Sequence, residues 1–169
     1  MQYFFYYTKI IEEKELFDIG FDLYCVGHLI WLATTVIACV VFSNWYKTLP
    51  ELKKIKTKKF FAVAILISEI LKDLVLWLAG APMIEYLPLH LCSFAIFGML
   101  IDAFGKWQHI TGQMMAFAFC PGAVSALLFC NWTELPFFNY LNIHSFVFHA
   151  WIVIYFVMLY RGGEIKPAY

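Results

Sequence analysis

A bundle of five membrane-spanning α-helices is the fold class this sequence predicts, on three observations. Of its 169 residues, 63% are hydrophobic and only 14% are charged, whereas a soluble domain is roughly half apolar and about a quarter charged. The apolar residues fall in runs of about 18 or more, the length that crosses the hydrocarbon core of a bilayer. Aromatic residues reach 20%, the enrichment expected where Phe meets lipid and Trp or Tyr sits at the interfaces. Lysine plus arginine equals aspartate plus glutamate, 12 of each, so the overall basic surface of a nucleic-acid binder is absent. The five cysteines form no CxxC pair and read neither as a disulfide framework nor as a zinc site. The expected partner is membrane lipid, with no nucleic acid, metal or cofactor; the oligomeric state is left open.

The whole chain, 1–169, reads as a single integral membrane domain. Residues 1–20 pair Phe4–Tyr7 with Glu12, Glu13 and Glu15, the pattern of an interfacial helix and not of a cleavable signal peptide. The first span is expected at 21–42, ending before the polar and aromatic cluster Ser43–Tyr46. The second runs 60–79 and stops at the turn signal Gly80-Ala81-Pro82. The third, 87–104, closes at Asp102, Phe104 and Gly105. The fourth, 110–130, carries Pro121-Gly122 near its middle, where a kink is expected. The stretch 131–142 is too polar to span and is expected to lie on the membrane surface before the fifth span, 143–160.

Orientation comes from the placement of basic residues. Lys47, Lys53, Lys54, Lys56, Lys58 and Lys59 crowd between spans one and two, Lys106 comes after span three, and Arg161 and Lys166 come after span five. The opposite side is dominated by acidic residues, so the N-terminus is expected outside and the C-terminus in the cytoplasm of a cell membrane. The lysine-rich segment reads first as a topology signal, and second as a binder of anionic headgroups.

That orientation gives each intramembrane polar residue a depth. At a rise of about 1.5 Å per residue, His28, Lys72, Asp73 and His149 fall roughly 9–10 Å below the outer surface, His90 about 5 Å, Cys92 about 8 Å and Glu69 about 15 Å, with His144 near the surface. Glu69, Lys72 and Asp73 share one helical face by their i, i+3, i+4 spacing. Three such charges oppose insertion by about 7–10 kcal/mol on the translocon scale. A face this polar is expected to look inward, Lys72 pairing with Glu69 or Asp73 and with histidines of neighbouring helices. Any one of these residues could be a packing device, but a whole layer of them marks a candidate site. In that layer His90 and His149 are candidate proton shuttles, Asp73 a supporting carboxylate, Cys92, Ser93 or Cys120 the candidate nucleophile, and His28, Glu69, Lys72 and His144 pocket-lining groups. His144 and His149 stand about 140° apart on a helix, unlike a metal-binding pair. Cys25, Cys39 and Cys130 read as small apolar fillers. The depth suits acyl transfer or hydrolysis on a phospholipid ester, or capture of a small polar solute by a transport component; a non-catalytic scaffold is the third reading.

PLHLC at Pro88–Cys92 and the final YRGGEIKP, Tyr160–Pro167, resemble the YwaF-like family of bacterial integral membrane proteins. That family is similar to the animal transmembrane protein 164 acyltransferases. The resemblance covers the chain from the third span onward. It implies a seven-span fold with two further spans beyond this stretch, so that this chain is expected to be a piece or a short variant of such a protein. It also implies that His90 and His149 match the family histidines, and that phospholipid is the substrate. Where the animal branch carries an acyl-bearing cysteine before the first histidine, this chain has Leu89; Cys92 lies one turn deeper on nearly the same face.

Overall fold

A computed structural model describes residues 20–78, 91–105, 107–133 and 136–165. Among them the chain is helical throughout: α1 Val26–Lys47, α2 Glu51–Leu78, α3 Leu91–Phe104, α4 Gln108–Met114, a π-helical turn Met115–Phe119, α5 Cys120–Leu128 and α6 Tyr140–Arg161. Three segments, Val26–Lys47, His109–Leu128 and Tyr140–Arg161, are long and apolar enough to cross a membrane. Helix α2 has the length, but Glu69, Lys72 and Asp73 interrupt its apolar stretch, and the described part of α3 has 14 residues. Residues 1–19, nearly all of the expected interfacial segment 1–20, and residues 79–90, with Leu89 and His90, lie outside the described residues.

The boundaries depart from the expected ones for physical reasons. Helix α1 does not end at Phe42. It continues through Ser43 and Tyr46, both fully buried, because their polar atoms meet the far end of α6: Arg161 Nη1 donates to Ser43 Oγ at 2.9 Å, and the Tyr46 hydroxyl donates to Glu164. The lysine-rich connection is not a loop either. A turn of Thr48, Leu49 and Pro50 suffices, and α2 starts at Glu51, so its lysines lie on helix. Helix α6 likewise begins early, because Asn139 caps it by accepting from Leu141 N at 2.9 Å. Near Pro121 the fourth hydrophobic stretch loosens into the π-turn, where the Cys120 N–H reaches back to Met115, an adjustment of the kind that accompanies a proline inside a helix.

Helix α6 is the centre of the bundle. Half of its most apolar window is buried, against 17% for α1, which packs on α6 with one side and presents Val36, Ile37, Val40 and Val41 outward. Such a face needs lipid as its solvent. Phe146 anchors α6 at one end. Its ring stacks on Trp31 at 5.2 Å, meets Trp132 edge-on at 5.5 Å and lies 5.7 Å from His28. On the other side α3 closes on the π-turn: a Cβ at Gly98 would stand 2.8 Å from the Phe119 ring, so only glycine allows this approach.

Helices α2 and α6 run antiparallel in a steady register. Glu69 lies opposite His144, the Trp151 indole donates to the Phe61 carbonyl at 3.1 Å, and Lys58 and Tyr155 share a carboxylate, Asp102. That last layer is a buried charge network at the α1–α2 end. The Lys58 ammonium stands 2.7 Å from Glu164 and 3.7 Å from Asp102, and Tyr155 donates to Asp102 at 2.6 Å. Lys58 and Asp102 side chains are only 4% exposed. Removing both ions from water costs several kcal/mol each, which the mutual attraction and the two tyrosine hydroxyls offset.

Candidate functional site

About three helical turns along α2 from Lys58, or roughly 16 Å, the same face carries a second polar group. The residues 58, 62, 65, 69, 72 and 76 succeed one another at steps of four and three, the stripe that a helix turns toward a neighbour. Five of the six are buried, and Lys72 is nearly so. Lys72 Nζ lies 2.5 Å from Glu69 Oε1 and 3.3 Å from Asp73 Oδ1. One ammonium thus holds two carboxylates on its own helix, as the spacing predicts. The other Glu69 oxygen faces His144 Nε2 of α6 at 3.8 Å. Glu69 and His144 side chains are 7% and 9% exposed, while Asp73 keeps 31%, so the group touches its surroundings through Asp73. His144 Nε2 is buried and has no hydrogen-bond partner among the described residues. Its place beside a carboxylate in apolar surroundings makes the His144 imidazole a candidate for proton transfer.

His149 sits one and a half turns further along α6. Its Nδ1–H donates to the Ser145 carbonyl at 2.7 Å, and its ring stacks on Trp132 at 5.2 Å. The indole N–H of Trp132 is buried without a partner among the described residues. Helix α3 packs along α2 with Asp102 at the Lys58 layer. Its first turn, with Cys92 and the buried Ser93, therefore lies about level with Glu69.

The sequence pattern of the TMEM164 family matches residues 23–169. The chain belongs to the TMEM164 family. The match takes in α1 and α2 as well as the later half in which PLHLC and YRGGEIKP stand, and with the apolar helices it makes the chain a membrane protein. No curated protein and no solved structure matches it.

In this TMEM164 family member the predicted site residues separate into groups. Glu69, Lys72, Asp73 and His144 come together directly. His149 stays apart, stacked on Trp132 about 7–8 Å along α6 from His144, Cys92 stands about level with Glu69 on α3, and His90 lies outside the described residues. His28 goes elsewhere: Tyr24 N donates to its Nδ1 at 2.9 Å and its Nε2–H donates to the Leu127 carbonyl at 2.8 Å. Both ring nitrogens are taken, and Tyr24 adopts a left-handed φ of 62° to deliver its N–H. The fully buried ring ties the start of α1 to the end of α5. Cys120 is buried at the π-turn, and all five cysteines are free. Among the described residues no group of side chains is arranged to hold a metal.

Sequence reasoning missed the Lys58 network and Trp132. Lys58 was hidden among lysines read as a topology signal, although its place on the 58–62–65–69–72–76 stripe distinguishes it from Lys53, Lys56 and Lys59. Glu164 and Tyr46 gave no such signal, because only the turn after α6, through Gly162, brings them together; a Cβ at Gly162 would stand 2.9 Å from the Tyr46 ring.

Proposed function

We propose that this TMEM164 family member is a five-span protein of the cell membrane, outside at its N-terminus, that cleaves or transfers the acyl chain of a phospholipid. The observation that carries the reading is the His144–Glu69–Lys72 group: a buried imidazole nitrogen without a partner, beside an ion-paired carboxylate, between otherwise apolar helices. The motifs PLHLC and YRGGEIKP support a place in the YwaF-like bacterial branch. The topology is supported by the gathering of Lys47, Lys53, Lys56, Lys58, Lys59 and Arg161 at one end of the bundle.

In the proposed reaction His144 accepts the proton of the Cys92 thiol, and the thiolate adds to the ester carbonyl carbon. The ester C–O bond breaks, the lysophospholipid leaves as an alcohol on taking up the proton, and an acyl-cysteine remains. Water then releases a fatty acid, or an acceptor hydroxyl carries the chain away and the thiol is restored. Glu69 faces the imidazole, and Lys72 holds Glu69 in place. His149 with Trp132 lines the approach.

The test is to incubate the purified, reconstituted protein with a diacyl phospholipid and analyse it by intact-mass spectrometry. An added acyl mass on Cys92, absent in Cys92→Ser, supports the enzyme. Lysolipid production undiminished in Cys92→Ser removes the thiol from the reaction. Saturable binding of a small polar solute without turnover would favour the transport reading, which the partial exposure of Asp73 supports.

A further inference from the structure

The first turns of α2 have two sides. Lys58 points into the bundle with Phe61, Ala62 and Ile65, while Lys53, Lys56 and Lys59 are exposed on an arc of roughly 120° on the opposite side. Lys47 at the end of α1 is exposed beside them. The nearby carboxylate, Glu51, is engaged by Lys54 at 2.9 Å and so does not neutralise the arc.

Beyond Lys59 that side of the helix is hydrocarbon. From Phe60 onward the exposed positions of α2 are all apolar, beginning with Phe60, Val63 and Ile67, so the change from ammonium to apolar surface falls between two consecutive residues. Leu52 and Ile55 are exposed among the lysines, and Trp45 and Trp107 are exposed at the neighbouring helix ends, the residue type that settles at the membrane interface. The Lys59 ammonium lies over the Phe104 ring of α3 at 5.1 Å, which holds it against the edge of the apolar surface instead of out in water. A topology signal needs only positive charge near a span. Here the charges form an ordered helix face level with the start of the acyl region.

We infer that the Lys53–Lys56–Lys59 face, with Lys47, is a docking surface for the headgroup phosphates of anionic phospholipids in the adjoining leaflet, with Leu52, Ile55 and Phe60 in contact with their acyl chains. It is separate from the His144 group at the other end of α2 and does not depend on the chemistry there.

The experiment uses the full chain reconstituted in phosphatidylcholine bilayers containing spin-labelled phosphatidylglycerol or spin-labelled phosphatidylcholine, with the protein-associated fraction of each read by electron paramagnetic resonance. Both leaflets contain the probe, so the insertion direction does not matter. The native protein is expected to prefer phosphatidylglycerol several-fold, and the preference is expected to fall as salt is raised. Lys53→Gln/Lys56→Gln/Lys59→Gln abolishes it, the corresponding triple arginine variant keeps it, and Lys54→Gln, whose ammonium is already paired, leaves it unchanged. Equal association of the two lipids with the native protein overturns the inference, as does a preference indifferent to salt. The salt titration on the native protein decides the matter if the glutamine variant does not fold.

Discussion

The Lys58 ammonium and the Glu164 carboxylate meet at 2.7 Å across the bundle, and through them the turn after α6 is fastened to α2. Asp102 stands on the other side of the same ammonium, so removing Lys58 leaves the buried Asp102 carboxylate without its cation and the partly exposed Glu164 beside it. Lys58→Met is predicted to destabilise the protein by about 3–5 kcal/mol. Lys58→Met/Asp102→Asn/Glu164→Gln is predicted to recover much of that loss. Thermal unfolding in detergent checks both; equal stability of the single variant and the native protein would mean that the network contributes nothing.

His28 is predicted to serve stability and not turnover. Substituting Phe takes the ring nitrogen away from the Tyr24 N–H and leaves the buried Leu127 carbonyl without its donor, at a cost of about 1–3 kcal/mol for the buried carbonyl. His28→Phe should therefore unfold at lower temperature, while its lipid turnover per folded molecule stays at the native level. The reverse outcome, native stability with lost turnover, would return His28 to the site.

Gly98 sets how closely α3 approaches the π-turn. Gly98→Val is predicted to cost about 1–3 kcal/mol by overpacking against Phe119, and Phe119→Leu in the same chain to restore part of it. A double-mutant cycle on unfolding free energies measures the coupling. Additive effects would mean that the two positions do not press on each other.

These relationships were legible in the sequence to different degrees. The helical membrane class and the inward face of α2 could be read directly, since a 3–4 spacing and the cost of charge in lipid act within one helix. The pairing of Lys72 with Glu69 and Asp73 came from the same spacing. What no local pattern carries is a partner chosen by tertiary packing. The Leu127 carbonyl that holds His28 is an ordinary backbone group until α5 ends beside α1. Ser43 and Tyr46 looked interfacial because polar and aromatic residues cluster there, yet they are buried because α6 ends against them. The distance along span five puts His144 near the surface, but α6 begins three residues earlier than expected, so His144 falls in its second turn, where it faces Glu69.

The proposed activity stands on His144, with Glu69 behind it, doing chemistry on a lipid ester. The most direct measurement is the rate of lysophospholipid release by the purified protein in phospholipid bilayers, compared with His144→Asn and Glu69→Gln. Measurable release is predicted for the native protein, with a fall of about a hundredfold or more in His144→Asn, the range of a lost general base, and a smaller loss in Glu69→Gln. No release by the folded native protein, or release by His144→Asn at the native rate, would contradict it.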